Sequence, residues 1–192
     1  MLEPSRWGCA VANGLHAKAF RIGLMPAPML LGREHVLFSD IPRRAESIVL
    51  RLTAEKLIDR DRAIYLFELD QNADPRHVQD AAIEAKKSCT HRLPQINSGI
   101  SDALYIGSSC ATGTRRGTLR TRLLQHFLGT SPNTYSMALS SWTEDLRGGV
   151  TVSAWQYGHE ESEEHIRESL LAIEDWLARE RNPMLGRRGA RS

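Results

Sequence analysis

The chain has 192 residues, of which 41% are hydrophobic and 25% charged, with a formal net charge of +2. That balance excludes a disordered or strongly polyanionic chain and describes one domain with extensions, large enough to bury a real core. No run approaches the roughly 18 apolar residues of a membrane span.

The charge is unevenly placed. Between Asp102 and Glu144 there is no acidic residue, while Arg115, Arg116, Arg120 and Arg122 fall in that window; a second basic cluster, Arg179, Arg181, Arg187, Arg188 and Arg191, lies near the C-terminus. Such separation creates local positive fields that suit a polyanionic partner. Cys9, Cys89 and Cys110 are odd in number and widely spaced, as expected of free thiols in a reducing compartment. Cys89-Thr90-His91 lacks a second ligand pair at zinc-site spacing and reads as structural. Lys18, Arg21, Pro26 and Pro28 interrupt the apolar stretches near the N-terminus, which argues against a signal peptide and makes a cytoplasmic location the expectation.

Residues 1–45 show no sustained periodicity and read as an N-terminal extension, with the domain proper at 46–187 and a basic tail at 188–192. Ala45 to Arg60 reads as a helix, and Ala63 to Leu69 is a compact apolar run expected to be a strand. A turn through Asp74-Pro75 starts a polar helix from His77 to Lys87, and Arg92 to Ser101 reads as a loop. A second strand runs from Ala103 to Gly107. After a basic loop, Thr118 caps a helix with the apolar stripe Leu119, Leu123, Leu124, Phe127 and Leu128. At 100° per residue Arg122 and His126 share a face just beyond one margin of that stripe, at the border between core and solvent; Arg120 projects towards the stripe and is either in a frayed first turn or a second candidate. Tyr135 to Trp142 reads as a short helical connection, and Val150 to Tyr157 alternates as a third strand. Glu160 to Arg179 is the clearest helix, with an acidic first turn, the stripe Ile166, Leu170, Ile173 and Leu177, and Glu174 on the stripe's margin. Three strands among helices give a mixed α/β (α+β) class.

With these pieces in order, the chain resembles the GIY-YIG nuclease family over roughly residues 63 to 186. Ala63-Ile64-Tyr65 stands where the family has Gly-Ile-Tyr, and Tyr105-Ile106-Gly107 is the second half of the name in full. Arg122-Leu123-Leu124-Gln125-His126-Phe127 is similar to the helix bearing the family's Arg and His. Ile173-Glu174-Asp175-Trp176-Leu177, followed by Pro183 at the family's spacing, resembles the segment supplying its metal-binding Glu. The resemblance implies a small, mainly antiparallel three-stranded sheet flanked by helices, with an insertion of about 74–101, carrying a helix, between the first two strands. There are departures: Ala63 replaces Gly, Tyr65 and Tyr105 are separated by the insertion, and Gly186 stands where the family often has Asn.

The resemblance further implies a metal-dependent endonuclease acting on DNA. Glu174 would hold a single Mg²⁺ (or Mn²⁺), an ion that keeps several waters and takes few carboxylates. Arg122 would brace the scissile phosphate with its planar fork of donors. Tyr65 or Tyr105 would contact the nucleophilic water, with His126 near enough to orient it or exchange a proton. The nucleic acid would run over Gly107, with Arg115, Arg116, Arg120 and the C-terminal arginines on its phosphates. Two other readings fit the residues: a nucleic-acid-binding module of the same fold without the chemistry, and a small α/β domain whose motifs arose by chance.

Overall fold

The computed structural model describes residues 29–53, 62–110, 117–156 and 163–186. Four strands, β1 (Met29–Leu37), β2 (Arg62–Leu69), β3 (Ala103–Cys110) and β4 (Gly149–Gln156), form one sheet in the order β1-β4-β2-β3, with every neighbouring pair antiparallel. Four helices accompany it: α1 (Ile41–Thr53), α2 (Pro75–Ser88), α3 (Leu119–Leu128) and α4 (Glu163–Arg181).

β2 is flanked on both sides and covered on both faces, so six consecutive residues, Arg62 to Phe67, are buried. A strand enclosed in this way shows an unbroken apolar run in place of an alternation. Its two faces serve two cores. Ala63, Tyr65 and Phe67 pack with β4, with Ile41, Ala45, Ile48, Val49 and Leu52 of α1 and with Leu119, Leu123 and Phe127 of α3. Ile64 and Leu66, with Ile106 of β3, meet Leu170, Ile173 and Leu177 of α4. The sheet is therefore the middle of three layers.

The sheet has four strands where three were expected. Met29–Leu37, inside the segment read as an extension, pairs along its length with β4, and α1 starts at Ile41. As an edge strand β1 buries only Leu31, Val36 and, intermittently, parts of its neighbours, while Leu30 and Leu37 stay exposed, so no clean alternation marks it. The helical connection expected over 135–142 is a single 3₁₀ turn, Leu139–Ser141. The region 54–61, which held the end of the first expected helix, lies outside the described residues.

The insertion between β2 and β3 is part of the domain. Asp74 caps α2 by accepting a bond from the Arg76 amide with Pro75 at the first helical turn, and Val78 and Ala82 join the larger core. The loop that follows ties down the end of α4: Asn97 donates to Pro183 O at 2.7 Å, its amide donates to Met184 O at 2.8 Å, and Ser101 donates to Arg181 O at 3.0 Å. Arg181 also forms an ion pair with Glu68 of β2. These contacts bring Pro183–Gly186 alongside the start of β3, where Met184 and Leu185 donate to Ala103 O and Leu104 O.

Candidate active site at the edge of the sheet

Tyr65 and Gly107 face each other across β2 and β3. A Cβ at Gly107 would lie 2.6 Å from the Tyr65 hydroxyl and 2.8 Å from Cε1 of Tyr105, so only glycine leaves room for both rings. The two tyrosines stack with centroids 6.3 Å apart and planes 20° from parallel. A register irregularity helps: Phe67 pairs with Tyr105 but Glu68 pairs with Ala103, leaving Leu104 as an extra residue. A bulge of this kind re-aims the side chains beside it, and Leu104 and Tyr105 both pack against the larger core.

α3 brings the imidazole and the guanidinium. Thr118 caps it through a 3.1 Å bond from the Thr121 amide, and Leu119, Leu123 and Phe127 anchor it. His126 is completely buried, with its ring 4.5 Å from that of Tyr105, 5.5 Å from Tyr65 and 5.7 Å from Phe67. The Met137 amide donates to Nδ1 at 3.3 Å. A neutral ring accepting there carries its proton on Nε2, and Nε2 lies 3.0 Å from the Tyr65 hydroxyl oxygen. Burial, reinforced by the nearby Arg122 charge, pushes the His126 pKa well below the usual imidazole range, which keeps this tautomer neutral.

Arg122, one turn earlier, is half-buried. Its Nη1 donates to Gln125 Oε1 at 2.6 Å and its Nη2 to Tyr135 O at 3.3 Å. Nη2 also lies 3.4 Å from His126 Nε2. With the ring proton on Nε2 both atoms are donors, so this approach is a charge pressing on the imidazole and not a bond. Burial alone would lower the Arg122 pKa, but the hydroxyls of Tyr65 and Tyr105 outweigh it and the group is held above its ordinary value. Burial likewise drives the Tyr65 phenol well above its usual range, with Tyr105 adding to the effect, so Tyr65 is a neutral hydroxyl.

Glu174 arrives from the other face. α4 lies on the Ile64, Leu66 and Ile106 side, and Ser108, with the same alternation as Ile106, donates its hydroxyl to Glu174 Oε2. Because β3 is the last strand, the two faces meet around its margin. A cleft of about 610 Å³ straddles that margin and is lined by Tyr65, Tyr105, Ser108, Arg122, Tyr135 and Glu174, among others.

No family model, curated protein or solved structure matches the chain. The site therefore rests on its own geometry. Tyr65, Tyr105, Arg122 and Glu174 line one cleft, and His126 lies behind Tyr65 instead of at the border between core and solvent where the helical projection put it. Gly107 lies under the two rings. Arg120 is exposed on α3, not turned towards the apolar stripe, because the helix docks through Leu119, Leu123 and Phe127. Arg115 and Arg116 lie outside the described residues.

Among the described residues no group of three or more His, Cys, Asp or Glu side chains could enclose a metal ion. Among the described residues lining the cleft Glu174 is the one carboxylate, and the Ser108 hydroxyl is bound to it. Hard oxygen donors in that number fit a cation of the Mg²⁺ kind, which keeps most of its waters, and do not fit a closed zinc site. Ser108, Gln125 and Tyr135 were not singled out from the sequence. Ser108 could have been found from the period of two, which sets it opposite Gly107 and on the side of the final helix. Tyr135 carried no signal, since its place depends on how the loop after α3 returns.

Within the described residues no helix is long and apolar enough to cross a membrane.

Proposed function

We propose that this chain is a divalent-cation-dependent endonuclease of the GIY-YIG type, hydrolysing DNA phosphodiester bonds at the cleft on the margin of β3. The observation that carries the reading is that Tyr105 of β3, Arg122 of α3 and Glu174 of α4, remote in sequence and drawn from both faces of the sheet, line one cavity.

Phosphodiester hydrolysis needs an oriented water, donors for the charge that grows on the phosphate, and help for the departing oxygen. Arg122 supplies the donors, and its planar fork is held by Gln125 and the Tyr135 carbonyl before substrate arrives. Tyr105 is the more exposed of the two tyrosines and is assigned the contact with the attacking water. Tyr65, buried and hydrogen-bonded to His126, positions Tyr105 and Arg122 and does not itself act as a base. His126 acts through Tyr65, as a positioning residue. Glu174, oriented by Ser108, would hold Mg²⁺, which when bound supplies Lewis-acid stabilisation of the phosphate and the leaving oxygen.

Incubation of supercoiled plasmid with the protein and Mg²⁺ tests this: nicked or linear product is expected, lost in Glu174→Ala and Arg122→Ala with the fold intact. Equal cutting by both variants would remove the assignment. A binding module without chemistry is the second reading, favoured by Gly186 (φ +99°), which lies against the Tyr105 ring where the family often carries Asn. It calls for salt-sensitive binding and no metal-dependent product.

A further inference from the structure

The cleft's outer rim carries a large aromatic side chain that the reaction above does not use. Tyr135 is 63% exposed, the most exposed of the large apolar and aromatic side chains among the described residues. Its backbone is not loose. The Ser136 amide donates to Arg92 O at 3.1 Å, the Met137 amide donates to His126 Nδ1, and the Tyr135 carbonyl accepts from Arg122. Ser131 and Thr134 close the turn before it through a 3.0 Å contact between their hydroxyls. Tyr135 thus lines the cleft with most of its surface uncovered, on a braced backbone whose carbonyl lies 3.3 Å from the guanidinium assigned to the phosphate.

We infer that Tyr135 is a stacking platform for a nucleobase next to the phosphate held by Arg122, so that the strand enters the cleft with at least one nucleotide unpaired. This deepens the nuclease reading and rests on its assignment of the cleft to a phosphodiester. The physical ground is that every base offers a π-face, but in a continuous duplex both faces of each base are covered by its neighbours. An aromatic side chain standing beside a phosphate-binding group therefore selects single strands, frayed ends or extruded bases. Pre-organisation matters too: a platform already fixed by backbone bonds loses little freedom on binding.

The test is fluorescence anisotropy of a labelled single-stranded oligonucleotide, with EDTA present so that nothing is cut. Wild type is expected to bind the single strand more tightly than a blunt duplex of the same sequence. Tyr135→Ala weakens single-strand binding on the order of tenfold, with unchanged melting temperature, whereas Tyr135→Trp and Tyr135→Phe retain it. A single abasic nucleotide moved along the oligonucleotide costs a similar factor at one position in wild type and at none in Tyr135→Ala. Equal binding by wild type and Tyr135→Ala, equal binding of duplex and single strand, or loss in the Trp and Phe variants would each overturn the proposal. Plasmid cutting in Mg²⁺ that is indifferent to Tyr135 leaves the nuclease reading standing while the platform falls; the stacking pattern without any cutting supports the platform and removes the nuclease.

Discussion

The Tyr65 hydroxyl and His126 Nε2 lie 3.0 Å apart, between two side chains that are themselves completely buried. Each depends on the other: with Nδ1 occupied by the Met137 amide, the imidazole has one proton to give and Tyr65 is where it goes. Tyr65→Phe removes the acceptor and leaves a buried donor without a partner. The expected cost is roughly 1–3 kcal/mol of stability, read as a lower denaturant midpoint, together with loss of cleavage through a displaced Arg122. An unchanged midpoint would mean that the contact is not made.

The same pair predicts a pH dependence. The His126 pKa is depressed in the folded protein by burial and then by Arg122, so the unfolded chain binds a proton that the folded one refuses. Stability from this group is fully present above the ordinary imidazole value of about 6.5 and is lost as the pH falls below it, by up to about 1.4 kcal/mol per pH unit. Melting temperatures measured between pH 7.5 and 5 should fall more steeply for wild type than for His126→Gln. Parallel curves would count against a neutral buried ring.

Gly107→Ala adds one methyl group at the point where two tyrosine rings converge. The added carbon meets Tyr65 Oη at 2.6 Å and Tyr65 Cζ at 2.7 Å, and both rings belong to packed strands that cannot withdraw. Overpacking of this kind costs roughly 1–3 kcal/mol, and cleavage is expected to fall further than stability because the rings move. Comparing the melting temperature with the cutting rate separates the two effects.

Glu174→Gln keeps the shape and the capacity to accept from Ser108 but removes the charge. Cleavage is expected to drop on the order of a hundredfold or more, with the fold unchanged. Ser108→Ala leaves the carboxylate but not its orientation, so the Mg²⁺ concentration giving half-maximal rate should rise by about tenfold while the maximal rate is largely kept. If Ser108→Ala instead abolished the maximal rate at saturating Mg²⁺, an orienting role would be too small a description.

Much of the frame was readable from local patterns. β2 announced itself because enclosure on both faces leaves no polar position from Ala63 to Phe67, and α3 and α4 did so through stripes that dock against opposite sides of the sheet. β1 did not, because a strand at a sheet's margin with Arg33, Glu34 and His35 in its middle buries too little to leave a pattern. The depth of His126 was missed for a related reason. A helical projection ranks residues by angle, but the Tyr65, Phe67 and Tyr105 rings that cover His126 come from strands far away in sequence. Arg120 was misplaced by the same projection, since one turn at a helix start does not fix which side will dock.

Pro183–Gly186 runs beside only the first half of β3, over Ala103 to Tyr105, and the cleft opens beyond it. An incoming chain that extended the sheet there would fill the cleft, so under the proposed nuclease reading β-augmentation at this margin and turnover exclude each other. On that reading, an assembly that cuts DNA leaves this flank uncapped and associates elsewhere.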